Sequence, residues 1–232
     1  MVNKGNSILF LDTSSPTACV GVWSQNRISA EVKLRESRRH AELLHDAIEE
    51  SLALASCDFS SLDAIVVGKG PGSFVGLRVA MSTAKGIALA RGIPLFGLDT
   101  LVTLAGGDGI PAGTGVALID ARRGEVYAQL AERKGEQVRS RGRAIALAPS
   151  ALRERFPNPS FWVGNGVALM SPCDAEGAPA IEIDVAGPTL AGMARAFWTR
   201  YEDGDIPGDE RDSLLPAYCR APDAKLPEQR RG

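Results

Sequence analysis

Val66-Val67-Gly68-Lys69-Gly70-Pro71-Gly72-Ser73-Phe74-Val75-Gly76-Leu77-Arg78 is the stretch on which the reading of this chain turns. The apolar run Ala64-Ile65-Val66-Val67 leads into a loop of glycines broken by one proline, and an alanine-rich helical pattern begins near Leu77. Strand, glycine loop and helix together set backbone N–H groups at a helix N-terminus, where an anion or a partner's backbone approaches closely. The familiar nucleotide motifs do not fit. A Rossmann pattern counted from Gly68 needs glycine where Ser73 stands, a P-loop counted from Gly70 meets Val75 and no following lysine, and Ser73 lacks the flanking spacing of a nucleophile elbow. The stretch therefore predicts an α/β fold and leaves its chemistry to the rest of the chain.

Toward the N-terminus, Ser7-Ile8-Leu9-Phe10-Leu11 is almost wholly apolar, as a strand buried on both faces must be, and it ends in the turn cluster Asp12-Thr13-Ser14-Ser15-Pro16. Ala18 to Trp23 reads as a second strand, Gln25-Asn26 as a turn, and Ile28, Ala30, Val32 and Leu34 alternate along a third strand with one exposed face. From His40, the residues Leu44, Ala47, Ile48, Leu52 and Ala55 recur at helical spacing. Beyond the glycine loop, Ala80, Ala84 and Ala88 stack four apart with Gly86 among them, a face small enough for close approach of a neighbour. Ile93 to Leu98 is a further strand, and Asp99-Thr100 is placed to cap a short helix.

Gly106-Gly107-Asp108-Gly109-Ile110-Pro111-Ala112-Gly113 is the clearest linker, so the expected division is 1–106 and 107–232. The pattern then restarts. Gly115 to Ile119 is an apolar strand ending in Asp120, Ala121-Arg122-Arg123-Gly124 is a turn, and Val126, Ala128 and Leu130 alternate on the returning strand. Strand, aspartate, turn and strand thus occur twice, in keeping with two related halves. Further on, a strand over 144–147, a short helix over 149–156, a strand from Phe161, a loop over 171–179 and an amphipathic helix from Leu190 to Tyr201 are expected, followed by a turn-rich tail.

The 232 residues are 44% hydrophobic and 23% charged, with a formal net charge of −2, which argues against strong unaided binding of nucleic acid. Cys19, Cys57, Cys173 and Cys219 stand far apart with no Cys-x-x-Cys pair, the chain opens without an apolar leader, and no run is long enough to span a membrane. A reduced, cytoplasmic protein is the expectation. His40 and His45 are five residues apart, about 140° around a helix at about 100° per residue, so they do not form a metal pair and are expected at the surface or an interface. Asp12 and Asp120, each ending a strand, suit either Mg²⁺-bound phosphate or the simple turn-forming role of aspartate. Gly70, Gly72 and Ser73 are the matching candidates on the glycine loop. Arg78 is either an anion partner or a structural pin.

Several segments are specific enough to carry a resemblance. They are Ile8-Leu9-Phe10-Leu11-Asp12-Thr13-Ser14, Arg39-His40-Ala41-Glu42-Leu43-Leu44, Gly70 to Arg78, Ile119-Asp120-Ala121-Arg122-Arg123-Gly124-Glu125-Val126-Tyr127 and Pro216-Ala217-Tyr218-Cys219-Arg220. Together they resemble the TsaB (YeaZ) family, within the TsaD and M22 glycoprotease-like superfamily. The resemblance implies a two-lobed, actin-like (ASKHA, ribonuclease H-like) fold. It implies a non-catalytic scaffold that activates TsaD, together with the ATPase TsaE, in transfer of a threonylcarbamoyl group to N6 of adenosine 37 in tRNAs reading codons that begin with A. TsaD carries a His-x-x-x-His metal pair; this chain has His40 but Leu44 in the second place. No metal or tightly bound cofactor is therefore expected of this chain alone, with ATP or ADP and metal belonging to the complex and tRNA reached through it. His40, Leu44, Ile48, Phe74, Arg78, Ala80, Ala84 and Ala88, on the two helices such proteins use for pairing, are the expected contacts with TsaD or with a second copy. Val75 replaces the threonine usual in the family loop. An independent actin-like ATPase or kinase and a glycoprotease-like peptidase are the competing readings.

Overall fold

The computed structural model describes residues 2–35, 39–170, 180–206 and 208–219; the loop expected over 171–179 and the tail beyond Cys219 lie outside the described residues. The first half builds a five-stranded sheet from β1 (Ile8–Asp12), β2 (Ala18–Ser24), β3 (Arg27–Leu34), β4 (Ala64–Gly70) and β5 (Leu95–Asp99), in the order β3-β2-β1-β4-β5. β1 lies antiparallel to β2 and parallel to β4. Every residue of β1 is buried, as a central strand covered on both faces requires, whereas edge strand β3 alternates between covered and exposed positions.

Two helices, α1 (His40–Leu54) and α2 (Phe74–Arg91), cover one face of this sheet. Leu9, Leu11, Val20, Ile65 and Val67 of the strands pack there against Leu44, Ile48 and Leu52 of α1 and Ala80, Ala84 and Ala88 of α2. The alanine stripe lets α2 lie close on the sheet. Helix α2 starts at Phe74, a turn earlier than the alanine pattern predicts, because Ser73 caps it: Ser73 Oγ accepts from Gly76 N at 3.2 Å. Gly92, at φ 66°, ends it in the left-handed conformation.

The chain changes sheets across the glycine-rich segment 106–113. Strands β6 (Gly113–Arg122), β7 (Glu125–Lys134), β8 (Gln137–Ser140), β10 (Phe161–Val163) and β11 (Ile181–Ile183) form the second sheet in the order β11-β10-β6-β7-β8, and β9 (Ile145–Leu147) pairs with β7. Short helix α4 (Leu152–Arg155) packs its Leu152 with Val116, Val126 and Trp162 on the outer face. Between the two sheets lie α3 (Thr100–Ala105) and α5 (Leu190–Glu202). Ile8, Phe10 and Val66 of the first sheet share one core there with Leu101 and Leu104 of α3, Met193 and Phe197 of α5, and Ala117, Ile119 and Phe161 of the second sheet. Phe197 anchors that core, with Phe10 edge-on at 5.9 Å and Phe96 at 5.6 Å.

Asp99 holds the N-cap position of α3 but makes no side-chain cap bond, contrary to the expected capping; its carboxylate pairs instead with Lys69 Nζ at 3.2 Å. The segment after α5 returns along edge strand β5. Asp209 Oδ1 accepts from Leu95 N at 3.1 Å, Glu210 Oε2 accepts from Gly97 N at 2.8 Å, and Glu210 N donates to Leu95 O at 2.9 Å. Ala217 N then donates to Lys69 O at 2.7 Å. An open edge that would invite another strand is thereby closed by carboxylates.

Candidate functional site

The turns after β1 and β6 face each other across a cleft of about 380 Å³. Thr13 to Pro16, Gly72 to Phe74, Ile119 to Arg122, His40, Tyr127 and Asn165 line it. The two aspartate turns are built alike. Asp12 Oδ1 accepts from Ser14 N at 2.8 Å, and Asp120 Oδ1 accepts from Arg122 N at 2.7 Å, each bond closing two residues downstream. The repeated pattern read in the sequence is thus a repeated geometry. The second hairpin is tighter than expected, with β6 running through a bulge to Arg122 and only Arg123-Gly124 in the loop.

The two aspartates differ in what they offer. Asp120 is partly exposed in the cleft and pairs with the exposed Arg122 at 3.1 Å. Asp12 is fully buried: its Oδ1 also accepts from Ser14 Oγ at 2.6 Å and its Oδ2 from Thr100 Oγ1 at 2.9 Å. Burial pushes the Asp12 carboxyl above its ordinary value, against the pull of the bonds from Ser14 and Thr100. A Cβ on Gly68 would overlap Asp12 Oδ2, so that glycine leaves room for the carboxylate. As a direct phosphate or metal ligand Asp12 is out of reach, and its role is to brace the turn.

The glycine loop is likewise engaged internally. Ser73 N donates to Ser14 O at 2.7 Å, Thr13 Oγ1 donates to Gly76 O at 2.6 Å, and Leu77 N donates to Ser73 O at 2.8 Å. A Cβ at Gly72 would collide with Ser14, and one at Gly76 with Thr13. These glycines are small so that the β1 turn can be zipped onto the loop. The expectation of free N–H groups fails at Ser73 and Gly76, whose donors are used; Gly70 takes a left-handed φ of 102° and supplies no side chain to the cleft. Ser15 Oγ, in the cleft wall, is buried with no hydrogen-bond partner among the described residues.

Of the expected partner contacts, Leu44, Ile48, Ala80, Ala84 and Ala88 are corrected by the structure: all five are core residues between helix and sheet, beyond reach of a partner. Their helical periodicity marked the apolar face, and on a helix laid against a sheet that is the inward face. His40 is also buried rather than superficial; its Nε2 lies 3.2 Å from Leu34 O, and the residue lines the cleft. His45 is exposed, beside Glu49 at 3.2 Å. Phe74 and Arg78 do reach the surface. The Arg78 guanidinium lies 3.8 Å from the Phe74 ring centroid, its Nε donates to Tyr218 Oη at 3.4 Å, and Phe74 and Tyr218 rings are 5.6 Å apart. Arg78 is a pin between α2 and the returning C-terminal segment.

The sequence reading set Gly86 on one small-residue face with Ala80, Ala84 and Ala88, whereas in the structure it lies on the opposite, outward face of α2. Gly86, in the middle of α2, is exposed, and a Cβ there would meet nothing within 4 Å. Ser82 and Ala90 lie one turn to either side on the exposed surface, and Leu89 is 76% exposed. The signal available was Gly86 itself, a helix-weakening residue that the stripe of alanines did not need. Among the described residues no three His, Cys, Asp or Glu side chains are grouped so as to hold a metal ion, and no helix is long and apolar enough to cross a membrane.

Comparison with known proteins places this geometry. The family model described as TsaD, tRNA N6-adenosine threonylcarbamoyltransferase, matches residues 32–155. An uncharacterized protein of Mycobacterium tuberculosis is 32% identical over 95% of this chain and 94% of its own length. The tRNA threonylcarbamoyladenosine biosynthesis protein TsaB of Haemophilus influenzae is 32% identical over 71% of this chain and 74% of its own. The solved structure of YeaZ from Pseudomonas aeruginosa superposes with a TM-score of 0.78 at 27% identity, covering 92% of this chain and 99% of that one. The two sheets with their flanking helices are the actin-like architecture of that structure.

Proposed function

The chain belongs to the TsaB/YeaZ-like branch of the TsaD superfamily, and from that membership we propose that it is a non-catalytic subunit of tRNA N6-threonylcarbamoylation. It pairs with a TsaD-type transferase, works beside TsaE in the cytoplasm, and contributes to modification of adenosine 37 in tRNAs whose codons begin with A. Nucleotide, metal and tRNA are engaged by the assembled complex.

One contrast carries this reading. The elements that would do chemistry are engaged internally, Asp12 by Ser14 and Thr100 and the glycine loop by Thr13 and Ser14, whereas the outer face of α1 and α2 is open. Leu44, where TsaD proteins carry their second histidine, is a core residue here and no ligand. An exposed mid-helix glycine costs about 1 kcal/mol against alanine, and among the described residues nothing lies within 4 Å of where a Gly86 side chain would start. The saving is in what it admits from outside: the backbone of a partner helix. The engaged loop also weighs against an independent ATPase.

The test is reconstitution with TsaD, TsaE, tRNA, threonine, bicarbonate, ATP and the enzyme that makes threonylcarbamoyl-AMP. Omitting this chain is expected to stop modification, and undiminished modification without it would sink the proposal. Gly86→Arg is expected to retain or raise the melting temperature, since arginine is the better helix former, yet to abolish co-elution with TsaD. Wild-type co-elution of that variant would move the interface elsewhere.

A further inference from the structure

The outer face of α2 is open along most of its length but not at its first turn. Phe74, Arg78, Ser82, Gly86 and Ala90 recur every four residues, make one ridge of the helix, and are all exposed. At its N-terminal end the chain itself already occupies this ridge. The Tyr218 ring lies 5.6 Å from that of Phe74, and Tyr218 Oη accepts from Arg78 Nε at 3.4 Å.

The segment that carries Tyr218 is fastened unevenly. Its first part is built into the fold. Asp209 and Glu210 accept from the amides of β5, and Leu214 N donates to Glu210 O at 2.8 Å. The Leu214 side chain is buried in the core beneath α2, in space that Gly97 leaves. Beyond Leu214 the hold is slight. Leu215 is 73% exposed and Tyr218 53%. Among the described residues, the hydrogen bonds that hold Leu215 to Cys219 are Ala217 N to Lys69 O, at 2.7 Å, and the one from Arg78 to Tyr218. An end with so few buried contacts lifts without disturbing the β5 edge.

We propose that Pro216 to Cys219 is an autoinhibitory strap end, which covers the first turn of the α2 ridge and must lift before a partner helix lies along it. This rests on the reading of α2 as the face that pairs with a TsaD-type transferase. A helix packed against Gly86 runs about 8–10 Å from α2, axis to axis. Phe74 is twelve residues from Gly86, about 18 Å along the helix. A partner that follows the ridge for that length meets Tyr218 before it meets Phe74. Lifting Tyr218 uncovers the Phe74 ring and the Arg78 guanidinium stacked 3.8 Å from its centroid. Phe74 also lines the cleft between the aspartate turns, so the strap end holds one wall of that cleft.

The test is calorimetric titration of TsaD with the full chain, joined to amide exchange. Tyr218→Ala is expected to bind TsaD about tenfold more tightly than wild type, the upper scale of one aromatic pair. In the free wild-type chain the Ala217 amide is expected to exchange faster than that of Leu214. On adding TsaD it is expected to exchange faster still, while Leu214 keeps its protection. Equal exchange at both amides in the free chain would show one fixed strap and overturn the proposal, whatever TsaD does. So would an Ala217 amide that TsaD protects, or weaker binding by Tyr218→Ala, since either makes the strap part of the contact. Equal binding by wild type and Tyr218→Ala overturns the competition alone; failure of both to bind TsaD overturns the pairing and the competition with it.

Discussion

Asp12 and Gly68 show how tightly single residues constrain each other here. Gly68 has no side chain because Asp12 fills the space, and Asp12 occupies it to hold the β1 turn through Ser14 and Thr100. Gly68→Ala is expected to destabilise the protein by roughly 2–4 kcal/mol, because overpacking meets a buried polar group rather than a pliable side chain; urea unfolding measures it. Asp12→Asn has the opposite sign. The folded-state pKa of Asp12 is raised, so its contribution is full below the unfolded carboxylate pKa and declines as pH rises toward the folded value. Removing the charge while keeping an acceptor for Ser14 is expected to hold or raise the melting temperature at pH 7 and to flatten its pH dependence across that window. A lower melting temperature at pH 7 would show that the ionised form is the one the turn requires. Neither residue was assigned this role by its type alone: aspartate after a strand reads equally as ligand or brace, and only burial decides between them.

Edge strand β5 depends on a chain segment more than a hundred residues downstream, since Asp209 and Glu210 accept from the amides of Leu95 and Gly97. For Asp209, burial acts to raise the pKa, but bonds from the backbone of Arg211 and Leu95 and from the Arg211 side chain outweigh it, and the net shift is downward. The sign is then that of an ordinary braced carboxylate: the contribution is present above the unfolded pKa and is lost as pH falls through the lowered one. Amide exchange at Leu95 is expected to accelerate in Asp209→Ala at neutral pH and to change little in the Gly86→Arg protein. Equal protection in wild type and Asp209→Ala would show that the strap adds nothing to the edge. Among the helices, periodicity located α1, α2 and α5 well because each has one long apolar face. It placed the start of α2 a turn late, since the cap is the single hydroxyl of Ser73 within a run of glycines.

For the molecule as a whole, the junction of the two halves is the point of interest, because one core spans both. Glu31 on β3 accepts from Leu190 N, the first residue of α5, at 2.8 Å, and Gly21 leaves room for the Leu190 side chain. Glu31→Ala is expected to lower stability by about 1 kcal/mol, the worth of a helix cap, in a single unfolding transition seen alike by far-ultraviolet dichroism and by tryptophan fluorescence. Separate transitions would mean that the halves unfold independently despite their shared core. The sequence by itself determined the first seven strands in chain order, the two aspartate turns and the family, because apolar runs, turn residues and contiguous motifs are local properties; the short strands β8 and β11 carry too few residues to show such a pattern. Only the tertiary structure decided which way each face points. Leu44, Ile48 and the alanines of α2 turned inward, Gly86 outward, and Asp12 and the glycine loop toward each other. That outcome depends on which surfaces the sheet covers, and so do burial, the matching of donors to acceptors and the reach of a partner.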